Sequence, residues 1–205
     1  MMYSIIKGFN DDIIGISPDV QILSVKVLSE EESIKPKVIA KAITLAITEK
    51  VTIINLSIAS YKYNDEIANA IRDAVKNNIT VVVSSGDYSD TKMMFPANMK
   101  EVVSVGAINK KNEISDLTSG SNLTTINAPG IDIKTLDLNE KSFYSSGTSQ
   151  ATALISGYVA LLKDYAINNG IKLENEDIIT YLSLIKENKL RYKDVFKKIS
   201  NSEDL

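Results

Sequence analysis

Histidine, cysteine and tryptophan are all missing from the 205 residues. Without cysteine the chain forms no disulfide and no thiolate metal site, and the compartment stays undecided on that ground. Without histidine the usual ligand sets for zinc, copper and haem are lacking too. Positive charge is not in excess: 23 Lys and Arg face 26 Asp and Glu, a net charge of -3. A nucleic-acid partner would call for a basic domain or stripe. The one basic stretch, Lys186, Lys189, Arg191, Lys193, Lys197 and Lys198, is broken by Glu187 and Asp194. It reads as a solvated helical face, with a docking surface as the second reading. No apolar run reaches membrane-spanning length, and MMYSIIKGFN has no charged segment leading into a long apolar one. Neither a membrane partner nor a secretory signal is expected. A cytoplasmic location is, unless the sequence is a fragment of a longer secreted precursor.

What is present is an alternation. Hydrophobic residues make up 44% of the chain, enough for one globular domain over 1–205. Val20–Leu28 (VQILSVKVL) is β-branched and strand-like. Pro36 opens a helix with Ile39, Ile43, Ala46 and Ile47 on one face. Thr52–Leu56 reads as a strand buried on both sides. Asn64 is placed to cap a helix whose buried stripe is Ile67, Ala70, Ile71, Ala74 and Val75. Thr80–Ser84 and Val102–Ala107 read as further buried strands. Helices are expected over Leu173–Ile185 and Tyr192–Ile199, with a frayed tail. The rhythm predicts an α/β fold, a mostly parallel sheet with helices on both faces. Ligand sites in such sheets form at the carboxyl ends of the strands. Those ends read Ser57-Ile58-Ala59-Ser60 and Ser84-Ser85-Gly86-Asp87, although Ser, Gly and Asp also suit ordinary turns.

A third candidate is SSGTSQATALISGYVALL, Ser145–Leu162. Ser149 stands where a helix begins, and Ile155, Val159, Leu161 and Leu162 mark that helix as buried. Free backbone N–H groups and the positive end of the helix dipole favour developing negative charge there. That suits a nucleophile whose adduct becomes an oxyanion. A serine that merely caps the helix accounts for the motif equally well when it is taken alone.

Several segments, in order, resemble the subtilases, the subtilisin-like serine peptidases. They are Gly15-Ile16-Ser17-Pro18 with VQILSVKVL, Ile53–Ile58, VVVSSGD, Phe95-Pro96-Ala97 with VVSVGAI, Ala128-Pro129-Gly130, and Ser146–Thr152. The resemblance runs from about Gly15 to Leu162 and implies a subtilisin-like three-layer sandwich. It implies that Ser149 is the nucleophile. Ser57, Ile58 and Ala59 would pair with an extended peptide or protein substrate. Ser84, Ser85 and Gly86 would line the primary specificity pocket, and Asp87 would occupy the oxyanion-hole position. No cofactor is implied. Asp11 and Asp12 fall where some members carry a calcium loop, or form a plain polar turn.

The departures bear on mechanism. In the family the triad aspartate and histidine both precede the segment matching Gly15–Pro18, so both are expected to lie outside this sequence. Losing the general base typically costs on the order of a million-fold in turnover. Asp87 replaces an asparagine, and a missing oxyanion donor costs roughly a hundred- to a thousand-fold. Sedolisins place an aspartate there and use a Ser-Glu-Asp set, but residues 1–10 hold no acidic side chain to serve as its base. Ala59 replaces a glycine, and Ala153-Leu154 replaces a proline with histidine or tyrosine. Two functional expectations follow. One is a peptidase domain inert alone and restored by an upstream segment or partner chain. The other is a pseudopeptidase that binds a peptide or protein through the groove. An exposed sheet edge and apolar surface, and with them an oligomer, poor solubility or a bound partner, are expected of the isolated chain.

Overall fold

The structure is a computed structural model that describes residues 1–10, 13–27 and 35–200. A short helix, α1 (Met2–Ile6), leads into a small antiparallel pair, β1 (Gly8–Asn10) and β2 (Ile13–Ile14). The backbone N–H groups of Ile16 and Ser17 then donate to the carbonyls of Ile5 and Ile6, at 3.1 and 2.8 Å. Helix α2 (Pro36–Thr48) has its proline in the first turn, where no N–H donor is needed. Strand β3 (Ile53–Leu56) and helix α3 (Asp65–Lys76) follow. Asn64 caps α3 as expected: its Oδ1 accepts the Ile67 N–H at 3.0 Å. Asp65 and Glu66 in the first turn and Lys76 in the last complement the helix dipole.

Strands β4 (Thr80–Ser84), β5 (Val103–Ile108) and β6 (Ile126–Pro129) complete a four-stranded sheet of order β3-β4-β5-β6. All three pairings are parallel. A hairpin of β7 (Ile133–Leu136) and β8 (Ser142–Ser145) precedes α4 (Thr148–Asn168), and α5 (Asn175–Lys186) and α6 (Tyr192–Ser200) close the described chain.

Alternation along β4 builds the two cores. Val82 faces a cluster with Val103, Val105 and Ile126 and the buried sides of α4, α5 and α6, including Ile155, Leu162, Ile178 and Val195. Val81 and Val83 face the other way, onto Ile39 and Ile43 of α2 and Ile67 and Ile71 of α3. A period of two along a strand buried on both faces gives this three-layer α/β sandwich.

Two expectations about the early strands are corrected. Val20–Val27 forms no strand, and Leu28 lies outside the described residues. Among the described residues, 21–27 make no hydrogen bond, and Leu23 is 47% exposed. Its β-branched composition suits a strand, but a strand needs a neighbour. Strand β3 is not buried on both sides: Ile54 is buried, while Ile53, Asn55 and Leu56 are only half-buried, because β3 is an edge strand. The basic stretch is partly neutralised from within, by Glu187 and Asp194. Lys186 Nζ donates to the carbonyls of Ser121 and Asn122, both at 3.2 Å, Lys189 pairs with Glu187, and Arg191 with Asp194. Asp11, Asp12 and the tail from Asn201 lie outside the described residues.

Candidate active site

The carboxyl ends of β3 and β4 and the start of α4 converge. Gly147 precedes α4 with φ at 153°, and its N–H donates to the Gly130 carbonyl at 2.8 Å. A Cβ there would stand 2.7 Å from Asp87 Oδ2 and 2.9 Å from Gln150 Oε1. Only glycine allows this approach. Thr148 N–H donates to Asp87 Oδ1 at 2.7 Å. Asp87, just beyond β4, thus caps the helix that carries Ser149. A negative group is well placed at that end of the dipole.

Ser149, second residue of α4, is half-buried, and its hydroxyl makes no hydrogen bond among the described residues. Its chain neighbours Thr148 and Gln150, and Ser85 after β4, carry buried polar atoms with no partner among the described residues: Thr148 Oγ1, Gln150 Oε1 and Ser85 Oγ. Such orphans are uncommon in folded proteins, where buried polar atoms normally find partners. Gln150 Nε2 donates to Ser145 Oγ at 2.6 Å, which fixes the amide.

The expected groove segments are adjacent. Ser57, Ile58 and Ala59 continue from β3, half-buried and outside the ladder. Ser84 ends β4, and Ser85 and Gly86 follow it, all three buried. Gly86 has φ at +103°, and a Cβ there would lie 2.6 Å from Met94 Cγ and 3.3 Å from the Ala59 methyl. The segments thus touch across Gly86 and Ala59. Their far side is closed by Ser60, which exchanges hydrogen bonds with Phe95 at 2.8 and 2.9 Å.

Sequence reasoning missed how α4 is tied to the end of β3. Thr152 Oγ1 donates to the Thr148 carbonyl at 2.7 Å, and Ser156 Oγ to the Thr152 carbonyl at 2.9 Å. Ser156 Oγ also lies 2.9 Å from Asn55 Oδ1, and Asn55 Nδ2 donates to Ser57 Oγ at 3.3 Å. This chain of contacts fixes Ser57 relative to α4. Small polar residues at 148, 152 and 156, one turn apart, were its only signal. The exposed rings of Tyr61 and Tyr88, with centroids 5.3 Å apart, stand beside the same loops. Among the described residues, no group of three or more Asp, Glu, His or Cys side chains could hold a metal ion. Nor is any helix there long and apolar enough to cross a membrane.

Chemically the arrangement offers a hydroxyl at a helix N-terminus, beside an extended segment and a carboxylate. Among the described residues it offers no base hydrogen-bonded to that hydroxyl.

The model of the Subtilase family matches residues 3–194. The chain is 33% identical over 162 residues to the major intracellular serine protease of Bacillus subtilis (strain 168), covering 76% of this chain and 51% of that protein. It is 32% identical to an intracellular serine protease of Paenibacillus polymyxa, covering 85% of this chain and 55% of that one. The chain therefore spans about half the length of these curated relatives. Among solved structures, the prenylagaramide maturation protease PagA superposes with a TM-score of 0.86 at 25% identity, covering 98% of this chain and 81% of that one. The self-cleaved protease domain of PatA gives 0.88 at 24% identity, covering 98% and 82%, and supports the fold. With the family model spanning nearly all of the chain, and this sheet and helix order beneath it, the chain belongs to the subtilase family as a subtilisin-like serine protease domain.

Proposed function

We propose that this chain supplies the nucleophile and substrate-binding half of a subtilisin-like serine endopeptidase and is inert by itself. Ser149 is the nucleophile. Ser57, Ile58 and Ala59 pair with an extended peptide, and Ser84, Ser85 and Gly86 line the primary pocket. The carrying observation is the Ser149 hydroxyl, seated at a helix N-terminus with no hydrogen-bond partner among the described residues, in a chain without histidine. A serine hydroxyl at neutral pH needs an adjacent base to attack. That base and its orienting aspartate come from a segment outside these residues, on the same polypeptide or on a partner chain. The mechanism invokes no cofactor, and any structural calcium would be incidental to it. A cytoplasmic setting fits the names of the two intracellular relatives.

The test is complementation. A polypeptide carrying Asp-Thr/Ser-Gly and His-Gly-Thr sequences is mixed with the chain, and hydrolysis of a fluorogenic peptide is followed. Turnover that requires both components and is abolished by Ser149→Ala is the expected result.

One observation favours a second reading, a pseudopeptidase that binds peptide without cleaving it. Asp87 accepts the Thr148 N–H, so at the oxyanion position it presents an acceptor where a donor is needed. Peptide binding without turnover in the complemented mixture selects this reading. Recovery of turnover in Asp87→Asn would then assign the defect to that carboxylate.

A further inference from the structure

A cavity of about 390 Å³ opens at the end of the sheet opposite Ser149. Thr52 and Ile79, which immediately precede β3 and β4, line it, together with Asn77, Asn78 and Lys163. Its walls are mostly apolar, including Ile79, Ala166, Ile171 and Leu173. Lys163 lies fourteen residues after Ser149 on α4, about 21 Å along the helix at 1.5 Å per residue. The two sites are therefore separate.

Lys163 is the unusual member. It is 7% exposed, yet its ammonium has one hydrogen-bond acceptor among the described residues, the Asn78 carbonyl at 2.9 Å. An ammonium carries three N–H donors, so two are unused. Buried charges are normally paired, because removing them from water is costly. The nearest opposite charge that acts on it, Glu174, is already engaged: it pairs with Lys172 at 2.5 Å and caps α5. Burial outweighs that attraction and lowers the Lys163 pKa to about 8. Two further lysines, Lys50 and Lys172, also line the opening and are exposed.

We propose that this cavity binds a small organic carboxylate with an apolar body, its carboxylate paired with Lys163 and its apolar part against Ile79, Ala166 and Leu173. The size fits, since small-molecule sites occupy about 300–1,000 Å³ and are mostly apolar with a few polar anchors. The charge fits as well: Lys163 and Lys50 line the cavity with no acidic side chain among its described lining residues, while Lys172 is held by Glu174. The apolar walls favour an organic acid over an inorganic anion.

Calorimetric titration tests this with N-acetyl-L-leucine, its neutral amide N-acetyl-L-leucinamide and inorganic phosphate. The acid is expected to bind at least tenfold more tightly than the amide or phosphate. Lys163→Met should remove that preference, and Ser149→Ala should leave it unchanged. Ile167→Glu, at an exposed position on the lining, adds a negative charge without touching the core and should weaken the acid several-fold. That variant keeps the test decisive if Lys163→Met folds poorly. Equal binding of acid and amide, no saturable binding at millimolar concentration, or a preference surviving both substitutions would overturn the proposal.

Discussion

Two stretches of similar composition have opposite fates in this molecule. Thr80–Ser84 is buried at every position, paired on both edges and packed on both faces. Val20–Val27 is as apolar, and half of its residues are β-branched, yet it joins no sheet ladder among the described residues and leaves Leu23 and Val25 exposed. The first has β3 and β5 beside it and helices above and below. The second follows an anchored N-terminal segment but has no adjacent strand among the described residues. Composition makes a segment competent for a sheet, and a neighbour makes it a strand. A strand laid along the outer edge of β3 would pair backbone groups that no described strand pairs. That edge is therefore where the proposed complementing segment would do most structurally.

Substitutions separate the two regions most sharply, and equilibrium denaturation measures them. Leu162→Ala, at a fully buried position beneath the sheet, should cost about 2–5 kcal/mol. The buried Lys163 gives the next largest effect. Its pKa is lowered by burial to about 8, against 10.5 when unfolded. Between those values the unfolded chain holds the proton and the folded chain does not, so stability rises with pH across this window. The penalty, up to about 3 kcal/mol, is fully present below pH 8. Wild type should therefore gain on Lys163→Met as pH rises from 8 to 10, and a parallel pair of curves would contradict this.

At the site, Gly86→Ala should cost about 1–3 kcal/mol, since φ is positive and Met94 blocks the methyl. Asp87→Ala removes an acceptor from the start of α4 and should cost about 0.5–2 kcal/mol. The smallest effect belongs to the unpaired stretch. Leu23→Ala should change stability by less than about 0.5 kcal/mol, as surface changes do. A cost approaching that of Leu162→Ala would erase the contrast between the regions.

Much of the architecture was legible in the sequence because local and tertiary signals agreed. Pro36 and Asn64 mark helix starts, and the stripes of α2 and α3 fall on the core as their spacing predicts. The continuous run at Thr80–Ser84 is buried as such runs are when both faces are covered. The strand expected at Val20–Leu28 was not found, because pairing is a property of two segments and propensity of one. Helix α1, five residues long, is too short to show a periodic stripe. For the candidate site, the order of motifs pointed to Ser149, Asp87 and the segments after β3 and β4, and the fold brings these residues near one another. The direction of Asp87 was not legible: a carboxylate's hydrogen-bond partner depends on where the N–H of Thr148 points. Nor was the Thr152–Ser156–Asn55 tie, which joins a helix to a strand end about a hundred residues away.

We propose that Ser149 occupies a nucleophile's position without an activating base. Reaction of the purified chain with a fluorophosphonate probe, read by intact mass against Ser149→Ala, tests it most directly. The expected result is no labelling above the alanine control at neutral pH. Stoichiometric labelling of Ser149 in the chain alone would contradict the account.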